Sequence, residues 1–139
     1  MTRNETLKQE MRDVLENNIL RFWIDCMQDD EHGGFYGRID NQNVLHADAD
    51  KGAILNARIL WTFSAAYRVL GKPEYLEMAS RAKQYFIDHF IDPEHGEWYW
   101  SRHRDGSLNS VDDKAGFWKC PYHNGRMCLE IIERVSAKE

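Results

Sequence analysis

The feature that most restricts what this chain can fold into is that it repeats itself. Trp23-Ile-Asp-Cys-Met-Gln-Asp-Asp-Glu-His-Gly-Gly-Phe-Tyr36 lines up with Phe86-Ile-Asp-His-Phe-Ile-Asp-Pro-Glu-His-Gly-Glu-Trp-Tyr99. The shared frame is Ile-Asp, then Asp-x-Glu-His-Gly-x-aromatic-Tyr. Each copy comes after a helical pattern and leads into a short extended stretch with turn residues, Gly37 to Asn43 and Ser101 to Asn109. The repeating unit is therefore helix, turn, small hairpin, helix. Such units cannot bury their own apolar faces alone, so they stack into a solenoid or close into a ring.

The helices are read from apolar spacing. Leu7, Met11, Val14, Leu15, Ile19, Phe22 and Trp23 predict one amphipathic helix over about residues 4 to 27. A second opens after Asp48 or Asp50, either of which could cap it, and runs to Leu70-Gly71. It is apolar almost all round, which predicts an interior position. Pro73 suits the first turn of a third helix over about residues 73 to 91, and a fourth begins near Pro121 with Met127, Leu129, Ile131 and Ile132. The remainder reads as loop and short hairpin, so the fold class is all-α.

Composition excludes several classes of function. With 18 Lys and Arg against 23 Asp and Glu, the net charge is −5, and the cations are scattered, which argues against a nucleic-acid partner. No apolar run is long enough to span a membrane, and the polar first residues lack the apolar core of a signal peptide. Cys26, Cys120 and Cys128 show no paired spacing, as expected of a reducing compartment, and the expected location is cytoplasmic.

Candidate chemistry concentrates in two places. Arg58 is the only formal charge between Lys51 and Arg68. In an interior helix it must meet a carboxylate, a carbonyl or a ligand, either as a structural ion pair or as a fixed cation facing a polar pocket. The segment Gly116 to Cys128 places Trp118, Tyr122, His123, Asn124 and Arg126 around the start of the fourth helix. A histidine there has its neutral form favoured by the positive helix end, as a general base requires, although a satisfied core histidine is the alternative. Trp118 offers a flat apolar face of the kind that packs on a sugar ring. Cys120, His123 and Cys128 match no common zinc spacing, so no metal site is expected. His32 and His95 fall at equivalent repeat positions and read as turn residues, His89 as a helix C-terminal cation, and His46 and His103 as solvated. The adjacent acids Asp29/Asp30 and Asp112/Asp113 read as solvated loop residues rather than the poised pair of a glycoside hydrolase.

Lys51-Gly-Ala-Ile-Leu-Asn-Ala-Arg-Ile-Leu-Trp-Thr-Phe-Ser64, Gly116-Phe-Trp-Lys-Cys-Pro-Tyr-His-Asn-Gly-Arg-Met-Cys-Leu-Glu130 and Gly33-Gly-Phe-Tyr-Gly37 resemble the cellobiose 2-epimerases of the N-acylglucosamine 2-epimerase superfamily. The resemblance implies an (α/α)6 barrel, here partial, and a single incomplete barrel domain over residues 1–139. Residues 1–95 resemble the family's N-terminal part and 96–139 its C-terminal part, without the middle that carries a second histidine. It implies reversible epimerisation at C2 of the reducing-end glucose of a cellobiose-like disaccharide, through an enediolate and with no cofactor. Carried over by motif, His123 becomes an acid/base group, Arg58 the binder of the sugar C1 and C2 oxygens, Trp118 a wall of the sugar site and Tyr99 a cavity tyrosine. Two further readings stay open: a non-catalytic remnant or sugar-binding fragment, and a carboxylate-dependent glycoside hydrolase on a related barrel. An incomplete ring also leaves apolar helix faces without neighbours, so self-association is expected.

Overall fold

The computed structural model describes residues 2–136, so the ends of the expected 1–139 domain lie outside the described residues. Thr2 opens the first helix with a capping box, its hydroxyl accepting from the Glu5 N–H while the Glu5 carboxylate accepts from the Thr2 N–H. Helix α1 covers Arg3–Val14, a π-helical turn covers Leu15–Leu20, and α2 covers Arg21–Cys26. One regular helix was expected here, and the π turn corrects that. An added residue in a turn rotates the succeeding helix by about 100°, so the apolar stripes of α1 and α2 fall out of line. Leu20 is buried and Phe22, Trp23 and Ile24 pack on the core, whereas Leu7, Met11 and Val14 stay about half exposed.

Strand β1 (Lys51–Gly52) leads into α3 (Ala53–Leu70), and α4 (Pro73–His89) comes after a two-residue break. Gly71 ends α3 in the left-handed region at φ 72°, as its position predicts, and Pro73 occupies the first turn of α4. The expected aspartate cap of α3 is absent: Gly52 is the N-cap and makes no side-chain bond. The pairing of β1 with β2 (Ser101–Arg102) brings the Trp100 carbonyl to the Ala53 N–H at 2.9 Å, which satisfies that donor instead. Asp50 turns to the second hairpin, where His103 Nδ1 and Asn109 Nδ2 each lie 2.8 Å from its carboxylate. The last helix, α5, covers Tyr122–Ser136.

Helices α3 and α4 pack closely, and α5 touches α3. One core gathers Leu20, Phe35, Ile59, Phe63, Tyr75 and Ala82; a second gathers Ala53, Ala57, Tyr85, Phe86 and Phe90 with Trp98 against it. The interior position expected for α3 holds on one face only. Phe63 and Asn56 are buried, while Trp61 is 57% exposed.

The repeat is structural as well as sequential. Bridges Gln28–Phe35 and Ile39–Leu45 recur 63 positions later as Ile91–Trp98 and Arg102–Leu108. Asp29 Oδ1 accepts from the N–H groups of Glu31 and His32, and Asp92 Oδ1 from those of Glu94 and His95, so the two histidines are turn residues. Gly33 and Gly34 take positive φ at 80° and 64°; Gly96 and Glu97 do so at 74° and 64°.

Candidate functional site

Two groups of polar residues hold the loops under the helices. Lys51 and Asp29 have no exposed side-chain surface, and Lys51 Nζ donates to Asp29 Oδ2 at 2.8 Å and to the Gly33 carbonyl at 2.7 Å. Arg104 closes on the same carboxylate at 3.3 Å and on Glu31 at 2.6 Å. Asp29 was expected to be solvated, and this burial corrects that reading. Burial alone would raise its carboxyl, yet the bonds from Lys51, the His32 N–H and Arg104 outweigh it and hold the group far below the usual carboxylate range. Burial pulls the Lys51 ammonium down, opposed by Asp29. The second unit repeats the pair, with Lys114 on Asp92; the Lys114 bond and the His95 N–H again hold the carboxyl low. His46 and His103 also lie 2.8 Å from carboxylates, those of Asp40 and Asp50, rather than facing water alone.

The candidate site lies between α3 and α5, where a cavity of about 570 Å³ opens. Ile54, Ala57, Arg58 and Trp61 line it from α3, and Tyr122, His123, Arg126 and Glu130 from α5. Helical spacing explains both sets, since residues three and four apart share a face. Arg58 was expected on an interior helix, either in a structural ion pair or as a fixed cation facing a polar pocket. It is exposed at the cavity with no hydrogen bond or ion pair among the described residues, which rules out the ion pair, because the face of α3 that carries it is uncovered there. His123 is half-buried, its ring 5.0 Å from that of Tyr122. Arg126 is held on the same wall by the Tyr122 hydroxyl at 2.8 Å.

Of the four residues singled out for sugar chemistry, the fold brings two together, Arg58 and His123. Trp118, 77% exposed, lines a separate cavity of about 150 Å³ with Trp100, Asp112, Asp113 and Phe117. The Tyr99 ring has the Arg102 guanidinium at 4.4 Å and the Lys114 ammonium at 5.2 Å.

Sequence reading missed the contacts that set the start of α5. Lys119 is buried at 2% exposure and donates to Glu97 at 3.1 Å and to the Lys114 carbonyl at 2.6 Å, and Asn124 donates to the same Glu97 oxygen. Burial would raise the Glu97 carboxyl, but the Trp98 N–H and Lys119 hold it below its ordinary value. The signal was available in the repeat, because Glu97 stands where the first copy has Gly34.

The family described as N-acylglucosamine 2-epimerase (GlcNAc 2-epimerase) matches residues 33–121. A cellobiose 2-epimerase of Bacteroides fragilis is 63% identical over 98 residues, which is 70% of this chain and 25% of that protein. A cellobiose 2-epimerase of Ruminococcus albus is 42% identical over 97 residues, with 70% and 25% covered. The solved cellobiose 2-epimerase of Bacillus thermoamylovorans B4167 superposes with a TM-score of 0.73 at 41% identity, over 76% of this chain and 27% of that one. A D-mannose isomerase structure at 19% identity and a TM-score of 0.68 shares the fold. The chain thus spans about a quarter of the length of the curated relatives it matches. Its helical hairpins form part of an (α/α)6 barrel.

Proposed function

Because the chain belongs to the N-acylglucosamine 2-epimerase family, we propose that it takes part in C2 epimerisation of the reducing-end glucose of a cellobiose-like disaccharide. The observation that carries this reading is that Arg58 and His123, from helices far apart in sequence, line one cavity. Epimerisation removes the proton next to a carbonyl and returns it to the other face. It needs a group of moderate pKa at that carbon and a cation for the oxygen that becomes negative. His123 fits the first role and Arg58 the second. Trp118 and Tyr99 join as sugar-contacting residues by motif, and residues 1–95 and 96–139 as two blocks of the family pattern.

A second reading, a sugar-binding part without turnover, is favoured by the lining itself. His123 is the one histidine among the described lining residues, and return of the proton to the opposite face needs a second group. One incubation separates the readings: with cellobiose, chromatography gives the C2 epimer, unchanged disaccharide, or monosaccharides if a hydrolase is at work. Under either sugar reading, His123→Ala and Arg58→Ala each weaken cellobiose binding about tenfold by calorimetry. Unchanged affinity in both variants overturns the assignment of this cavity.

Two wider features belong to the same reading. The unpaired cysteines suit a cytoplasmic site of action. No helix among the described residues is long and apolar enough to cross a membrane. The half-exposed apolar residues of α1 support association with further copies of the chain.

A further inference from the structure

We propose that Glu97 is the positioning residue of the His123 cavity: it fixes the start of α5, and through Asn124 the neighbouring histidine, against the second repeat turn. The inference rests on the sugar-site reading above for its functional consequence, and on geometry for the rest.

Three observations converge on this side chain. First, its backbone is at φ 64°, a left-handed conformation that a residue with a Cβ adopts only at a cost. The equivalent place in the first turn is Gly34, also at φ 64°, which meets the same geometry without that cost. The second turn therefore keeps a glutamate where its own fold favours glycine, and such strain persists where the side chain is needed. Second, one carboxylate oxygen, Oε1, accepts from three groups: the Trp98 N–H at 2.8 Å, the Lys119 ammonium at 3.1 Å and the Asn124 side-chain amide. Lys119 lies three residues before α5, and Asn124 stands next to His123 within its first turn. Third, Lys119 is nearly fully buried, so its ammonium needs an anionic partner in place. The glutamate thus departs from the repeat in the unit that carries His123.

Glu97 and Asn124 are not among the residues lining the cavity, so neither would touch a bound sugar. Their effect is on where His123 and Arg126 stand relative to Arg58 across the gap. A displacement of about 1 Å at such a wall is enough to weaken a site severely.

The test compares amide hydrogen exchange and cellobiose affinity in the full chain and in the variants Glu97→Gly, Glu97→Gln and Asn124→Ala. We expect Glu97→Gly and Asn124→Ala to speed exchange at residues 119–127 at least tenfold while amides of α3 and α4 keep their protection. We expect the same two variants to bind cellobiose about tenfold more weakly. Glu97→Gln keeps an acceptor oxygen for Asn124 but removes the anion facing buried Lys119, so it should fall between the parent and Glu97→Gly in both measurements. Loss of protection throughout α3 and α4 in Glu97→Gly would mean a general structural role and overturn the proposal, as would unchanged exchange at residues 119–127. If the unaltered chain binds no cellobiose, the sugar-site reading fails, and the exchange result by itself still decides whether Glu97 positions α5.

Discussion

At Asp29 a carboxylate with no exposed surface is held by Lys51 at 2.8 Å and Arg104 at 3.3 Å, and its other oxygen receives two backbone N–H groups. Every one of those partners favours the ionised form. Asp29 is therefore a weaker base in the folded chain than in the unfolded one, where its pKa is about 4. A group lowered on folding contributes stability above its unfolded pKa and loses it as pH falls toward the folded value. The chain should accordingly lose stability as pH falls below about 4, as followed by urea unfolding at a series of pH values. Asp29→Asn removes the charge and leaves Lys51 buried without an anion, at a cost of about 3–5 kcal/mol near neutral pH. It should also flatten the pH dependence in the acid range. A variant as stable as the parent at pH 7 would contradict the assignment.

At the scale of elements, the turn and hairpin of each repeat unit act as one piece that sets the helix after it. The first hairpin meets the backbone that enters β1 through Gly37, where an added Cβ would sit 1.9 Å from the Asp50 carbonyl oxygen. The crowding atoms are backbone, so no side chain can swing away to make room. Gly37→Ala should destabilise the chain by about 3 kcal/mol, the upper end of overpacking costs, measured by thermal or urea unfolding. Gly71→Ala is the useful contrast, because a Cβ there meets nothing within 4 Å and only the positive φ opposes it. That cost should be about 1 kcal/mol. Equal losses in the two variants would show that the hairpin does not press on the backbone that enters β1.

For the whole molecule, the notable fact is how much apolar surface the outer helices leave open. Leu7 and Met11 on α1 are 53% and 54% exposed, and Leu129 on α5 is 62% exposed. The repeat gives these faces a meaning, since stacked helical hairpins cover each other's sides and a chain with few hairpins has uncovered sides at its ends. At about 25 cal/mol per Å2, covering several hundred Å2 favours association once its entropic cost is met. Light scattering over a hundredfold dilution should show mass above 16.4 kDa at the concentrated end and a decline on dilution. Leu7→Lys with Met11→Lys should shift that profile toward the monomer. A single 16.4 kDa species throughout, with cooperative unfolding, would remove the self-association reading.

The part that the sequence determined by itself was local. Apolar spacing, Gly71 and Pro73 mark α3, α4 and α5 because helix periodicity and termini depend on neighbours along the chain. The repeated Asp-x-Glu-His-Gly frame marks both turns because their hydrogen bonds run between residues two to five apart. The motifs around Arg58 and His123 marked the two residues that share the cavity. Tertiary structure decided the rest. The frame sets Asp29 apart from Asp30 as the turn residue, but Lys51 and Arg104 reach it across 22 and 75 positions, so its burial between two cations is not written in the local sequence. The Trp100 carbonyl displaced an aspartate from the role of cap because strand pairing put a better-placed acceptor at the Ala53 N–H. Arg58 stands open rather than buried because exposure depends on which helices surround α3, and an apolar pattern records only that a face can be covered, not that a neighbour is there to cover it.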